Sequence, residues 1–200
     1  ANIVLDEEGQ IENILVAERN VAHRIIEEFM LVANETVAAY LEEHDVPTMY
    51  RVHEAPDLLK VEQFEEFITT LGYTLSAPMN TVKPRHFQKL VEKLRGKPEE
   101  RPIATLMLRT MQKARYDTAC LGHFGLAADA YTHFTSPIRR YPDLIVHRTL
   151  REYRHGKLND ALYEERVEEL PEVARHTSEM ERRADEAENE LVAWKKVRFM

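Results

Sequence analysis

HFGLAADAYTHFTSPIRRYPDLIVHR, residues 123–148, decides how this chain is read. It brings together Arg139 and Arg140, a Ser136-Pro137 start signal, the aromatics Phe124, Tyr131, Phe134 and Tyr141, and the histidines His123, His133 and His147. Between Arg139 and Lys157 six Lys/Arg face two acids, a local charge of +4 in a chain whose formal net charge is −8. A basic island in an acidic chain marks a place for something anionic. Arginine presents an always-charged fork that matches phosphate oxygens in pairs. Ser136-Pro137 is read as opening a short helical turn with both arginines in it, where the helix N-terminus also favours an anion. The competing reading is two surface arginines paired with nearby acids. The aromatics are either stacking platforms for a single strand or plain core, the latter favoured for Phe124 and Phe134.

Around this stretch the composition bounds the answer. Two hundred residues with 44% hydrophobic content suit one domain, or a large piece of a bigger one, with a real core. Cys120 is the single cysteine, so no internal disulfide forms and a cytoplasmic setting is expected. No long apolar run or signal peptide is present, so no membrane association is expected. The chain opens as if inside a strand and stops as if inside a helix, which suggests a segment of a longer protein.

The pattern predicts a helix-rich α+β chain with four or five short strands and no internal division. Ile3–Leu5 and Ile11–Val16 read as a hairpin around Asp6-Glu7-Glu8-Gly9. Asn20–His44 reads as a helix, with Val21, Ile25, Phe29, Val32, Val37 and Leu41 recurring at helical steps. Met49–His53 reads as a strand. Helices follow over Leu58–Leu71, Pro84–Arg95 and Pro102–Tyr116, then an irregular segment Asp117–Thr135. A helix from Pro142-Asp143 to about His155 comes next, and a long one from near Pro171 to the end, anchored by Leu191, Trp194 and Val197.

The remaining candidates are weaker. The spacings of His123, His133 and His147 match no compact zinc pattern. The eight aspartates are scattered, and no metal site is expected from these residues alone. His133 is read as a donor near phosphate or as a structural polar group. Asn34, mid-helix, is either satisfied by buried hydrogen bonds or part of a site. Arg51 and His53 alternate on the predicted strand and share a side, either lining a basic channel or facing solvent. Glu188 on the last helix reads by default as a solvated charge.

The 123–148 stretch resembles the signature of the RNB catalytic domain in the ribonuclease II/ribonuclease R family of exoribonucleases. ERNVAHRIIEEFMLVANETVA (18–38), PTMYRVHEAP (47–56), LMLRTMQKARYD (106–117) and ERRADEAENELVAWKKVRFM (181–200) resemble the family in the family's order. THFTSPIRRYPDL and YRVH look closer to the ribonuclease R branch. The resemblance implies 3′-to-5′ degradation of single-stranded RNA to nucleoside 5′-monophosphates at a magnesium (Mg2+) site. It implies that Arg139 contacts the scissile phosphate and that Glu188 lies near the active site. It assigns Arg140, Tyr131, His133 and Ser136 to RNA contact or site support; Arg51, His53 and Asn34 join them as RNA-binding candidates on the readings given above. The family's four-aspartate magnesium cluster is missing from these residues, as are cold-shock and S1-type domains. The chain therefore looks like the C-terminal half of an RNB domain, partnered by a missing N-terminal half. Two rival readings stand beside it. One is a non-catalytic RNA- or protein-binding module on a degenerate RNB scaffold. The other is a DNA-binding protein using the 143–155 helix, weakened by the acidic remainder.

Overall fold

A computed structural model of the chain describes residues 2–15, 20–75 and 82–199. Val16, assigned above to the second strand, lies outside them. Strands β1 (Asn2–Leu5) and β2 (Ile11–Leu15) form the antiparallel hairpin the pattern predicts. Its turn is held by the Asp6 carboxylate, which accepts the amides of Glu8 and Gln10 at 3.0 and 2.7 Å. The Lys195 ammonium, far along the chain, donates to the Gly9 carbonyl and ties the hairpin to the last helix.

Helix α1 spans Val21–Glu43. The Asn20 side chain accepts the His23 amide at 3.0 Å and His23 Nδ1 accepts the Asn20 amide at 3.4 Å, a reciprocal cap with histidine in place of the usual glutamate. Its buried face is Asn34, Ala38 and Leu41, while Val21, Ile25, Phe29 and Val32 are exposed. The expected apolar stripe is real, but its N-terminal half points away from the core of this chain.

Strand β3 (Tyr50–Val52) follows and pairs antiparallel with β4 (Arg115–Asp117), with Arg51 opposite Tyr116. Between them lie α2 (Leu58–Thr70), α3 (Pro84–Leu94) and α4 (Glu100–Thr110). The three share a core built from Val61, Phe64, Ile68, Phe87, Leu90 and Ile103. Leu71, placed on that face by its spacing, is instead the exposed residue closing α2. The helix expected to reach Tyr116 stops at Thr110. Pairing with β3 takes over Arg115 and Tyr116, a long-range ladder overriding local propensity.

After β4 the chain is irregular to Thr135, as expected, with a 3₁₀ turn at Phe124–Leu126. It is tied to β3 by main-chain bonds: Arg51 N–H to Tyr131 O at 2.8 Å, His53 N–H to Gly122 O at 3.1 Å, Phe124 N–H to His53 O at 2.7 Å. Helix α5 runs Tyr141–Arg154 and α6 runs Asp160–Phe199. Helix α6 starts eleven residues before the predicted Pro171 and carries that proline inside it. A mid-helix proline costs about 3 kcal/mol, and burial of Leu170, Ala174 and Ser178 on either side of it opposes that cost. Ser178 Oγ accepts the Tyr116 amide at 2.8 Å, which docks α6 on β4. Leu191, Trp194 and Val197 are exposed and do not anchor the helix end as expected. No described helix is long and apolar enough to cross a membrane.

Candidate RNA-binding and catalytic site

The loop that crosses β3, β4 and α1 carries most of the predicted residues. Tyr131 is buried, and its hydroxyl accepts Asn34 Nδ2 at 2.9 Å. Asn34 Oδ1 accepts the Phe134 amide at 2.9 Å. The mid-helix asparagine is therefore satisfied by two bonds spanning about a hundred residues of chain, and it fixes the loop on α1. The ring of Tyr131 sits 5.2 Å from that of His123 and 6.0 Å from that of His133, both edge-on.

His133 Nδ1 shares a hydrogen bond of 2.8 Å with the Tyr116 hydroxyl. Burial, reinforced by Arg140, Arg51, His123 and Arg139, lowers His133 to about 3. Burial, then His53 and Arg51, lowers His123 to about 4. Burial pushes Tyr116 up to about 12 against the opposing pull of Arg51. All three are neutral at physiological pH, so they shape the site through hydrogen bonds and ring faces rather than charge. His147 stacks on Phe134 with ring centroids 4.0 Å apart and bonds its carbonyl at 2.8 Å.

Arg51 and His53 leave β3 into different surroundings. Arg51 is half-buried, paired with Glu181 of α6 at 2.6 Å and lying over the Tyr116 ring at 4.6 Å. It is a bridge between strand and helix rather than an open cation. His53 is buried and uses both nitrogens. Nδ1 accepts the Gly125 amide at 2.8 Å, so Nε2 carries the proton and donates to Gln112 O at 2.7 Å. Neither nitrogen is left for a ligand. Gly125 is required here, since a Cβ would lie 2.9 Å from His53 Nδ1.

Ser136–Arg140 forms a turn, not the opening of a helix. The amides of Arg139 and Arg140 bond the Ser136 carbonyl at 3.2 and 3.1 Å, and Arg140 takes the N-cap position of α5. The arginines therefore precede α5, in a single turn of their own. Asp143, wholly buried, governs this turn. Its Oδ1 accepts the Ser136 amide at 2.7 Å and the Arg140 guanidinium at 2.8 Å. Its other oxygen and Arg140 Nε are buried with no partner among the described residues. Arg140 is committed inward, with its side chain 21% exposed. Arg139 is exposed, and its side chain makes no hydrogen bond or ion pair with a described residue. Two adjacent arginines thus have different tasks, one structural and one presented outward. Sequence reasoning missed Asp143, although its position three residues after Arg140 was the available signal.

Glu188 is exposed on α6. It lies seven residues beyond Glu181, hence on the same helix face and about 10 Å further along the axis. The structure brings Tyr131, His133, Asn34 and Arg51 together with the 136–140 turn, and it does not bring Glu188 into contact with them. No group of three or more His, Cys, Asp or Glu among the described residues could hold a metal ion.

The description "RNB domain" matches residues 1–156. Ribonuclease R of Aquifex aeolicus is 48% identical over 200 residues, covering all of this chain and 28% of that protein. RNase R of Mycoplasma genitalium, solved with ribose methylated single-stranded RNA, superposes with a TM-score of 0.91 at 30% identity, over 97% of this chain and 31% of the other. Yeast Ssd1, described as a pseudonuclease, superposes at 0.67 with 26% identity over 81% of this chain and 20% of the other. The chain spans less than a third of the length of each.

Proposed function

Since this chain belongs to the RNB domain family, we propose that its 200 residues are the C-terminal part of the catalytic domain of a processive 3′-to-5′ exoribonuclease. The parent would take single-stranded RNA by its 3′ end and release nucleoside 5′-monophosphates, in the cytoplasm. The observation that carries this is the asymmetry of the arginine pair. A buried carboxylate pins the turn through Ser136 and Arg140, leaving Arg139 an exposed guanidinium on a rigid mount. That is what a phosphoryl group developing charge requires: a preorganised fork with no competing acid. Tyr131 and the neutral His133, ring-paired, form the adjoining wall, and Asn34 and Arg51 brace it. Ser136 contributes main-chain groups to the turn.

The magnesium ion that the family resemblance implies does not fit the residues described here, which offer no cluster of carboxylates. Its ligands would belong to the N-terminal half of the RNB domain. Glu188 would act near the site only in the assembled parent. The isolated segment would not hydrolyse RNA.

The test is Arg139→Ala in the full-length enzyme, with RNA binding and mononucleotide release measured separately. Turnover is expected to be abolished with much of the RNA affinity kept; near wild-type rates would refute the assignment. A second reading, a non-catalytic module on the same scaffold, is favoured by the likeness to a pseudonuclease. The coding sequence upstream of Ala1 separates the two: a D-x₅-D-x-D-D pattern supports the enzyme, and its absence supports the module.

A further inference from the structure

We infer that the outer face of α5, from Arg148 to Lys157, is a second RNA contact, holding the sugar–phosphate backbone of the strand away from the Arg139 turn. This rests on the reading that RNA is the substrate. Arg148, Arg151, Arg154, His155 and Lys157 are all exposed. They border two open grooves of about 680 and 360 Å³ that share Arg148, Arg151 and His155. Glu152 is the one acid lining them, and it is taken: both its oxygens are held by Arg166 of α6 at 3.2 and 2.9 Å. None of the three groove arginines has an ion pair with a described residue. The grooves therefore carry an uncompensated positive field on a chain of net charge −8.

A helix C-terminus favours cations and accounts for one or two of them in the last turn. It does not account for Arg148, further up the helix, nor for Lys157 beyond the end of α5. Arg148, Arg151 and Arg154 recur every three residues, about 4.5 Å of helix rise apart, and cover about 9 Å. Leu144 and Leu150 supply an apolar floor. A row of arginine forks over such a floor fits a polyanion with regularly spaced bidentate acceptors. Arg148 lies seven residues into α5, about 10 Å along the axis from the end that follows the Arg139 turn. A strand engaging both would therefore be several nucleotides long.

The experiment uses the full-length enzyme and the triple variant Arg148→Gln, Arg151→Gln, Arg154→Gln. Binding of a 3-nucleotide and a 25-nucleotide single-stranded RNA is followed by fluorescence anisotropy across a salt series, with turnover on the short RNA as control. Binding of the 25-mer is expected to weaken at least tenfold at low salt. Its log–log salt slope is expected to fall by about 2, three contacts at about 0.7 each for a single strand, while the short RNA binds and turns over as in wild type. Arg148→Gln alone, should the triple variant not fold, is expected to lower the slope by about 0.7. An unchanged 25-mer affinity and slope would overturn the inference. Equal loss on both RNAs would also overturn it, by making the face part of the cleavage site. Loss of binding to a polyglutamate peptide with RNA binding intact would assign the grooves to an acidic protein instead. Wild-type enzyme that binds neither RNA would instead sink the RNA-substrate reading itself.

Discussion

Removing the Asp143 carboxylate tests the architecture on which the Arg139 assignment stands. Asp143 is wholly inaccessible and serves two donors, the Ser136 amide at 2.7 Å and the Arg140 guanidinium at 2.8 Å. Breaking one side of a buried ion pair typically costs about 3–5 kcal/mol. Arg140 retains 21% side-chain exposure, so it can rehydrate in part, and Asp143→Ala is expected near the low end, about 3 kcal/mol. Asp143→Asn keeps an acceptor oxygen and loses only charge assistance, roughly 1 kcal/mol from the difference between charged and neutral hydrogen bonds. Urea unfolding of the full-length protein reads both, as midpoint shifts at constant denaturant slope. In the same variants kcat should fall while KM for a short RNA moves little, because Arg139 would be displaced rather than removed; a 1 Å misplacement can cost about 10²-fold. An Asp143→Ala protein within about 0.5 kcal/mol of wild type, the range of ordinary surface changes, would show that the turn is not pinned as described.

Two further outcomes follow from the loop beneath the turn. Asn34→Ala strips the half-buried Phe134 amide of its acceptor and the buried Tyr131 hydroxyl of its donor. It should cost about 1–3 kcal/mol in urea unfolding, the penalty of an unsatisfied buried group, and a neutral result would contradict the bracing role. His123 and His133 titrate in the folded chain near 4 and 3 against an ordinary 6.5. The unfolded chain therefore binds more protons between pH 6.5 and about 3, so their contribution to stability is complete above 6.5 and is lost as pH falls through that window. Ring-proton NMR should find both imidazoles neutral at pH 5.5; a protonated His133 at that pH would remove the basis for its uncharged role.

Much of the fold was legible because its signals are local. Asn20 at the start of α1 and Pro84 opening α3 each marked a helix boundary to within a residue or two. What was not legible is decided by partners remote in sequence. Helix α4 yields to β4 because Tyr116 meets Arg51 across a strand pair, and α6 runs through Pro171 because β4 and α5 cover its buried side. On α1 the periodicity was correct, but of the expected stripe only Val37 and Leu41 face the core. Val32 and Asn34 lie about 200° apart around a helix, so two stripes coexist on opposite sides. The one with the more polar membership is the one buried, because Asn34 finds Tyr131 and Phe134 there.

The site follows the same division. The charge of Arg139 and Arg140 was plain from composition, but their difference was not, since two adjacent arginines carry identical chemistry. What separates them is geometry three residues downstream. A carboxylate at i+3 from Arg140, buried by the first turn of α5, can reach the guanidinium and the Ser136 amide together. The same logic covers Arg51, whose partner Glu181 is 130 residues away and out of reach of any local pattern. In this region a cation with a buried acid at helical spacing is read as a mount, and a neighbour without one as the working group. By that criterion the roles proposed for Arg139, Arg148, Arg151 and Arg154 are those of the second class, with the acid that lines the grooves among the described residues already claimed by Arg166.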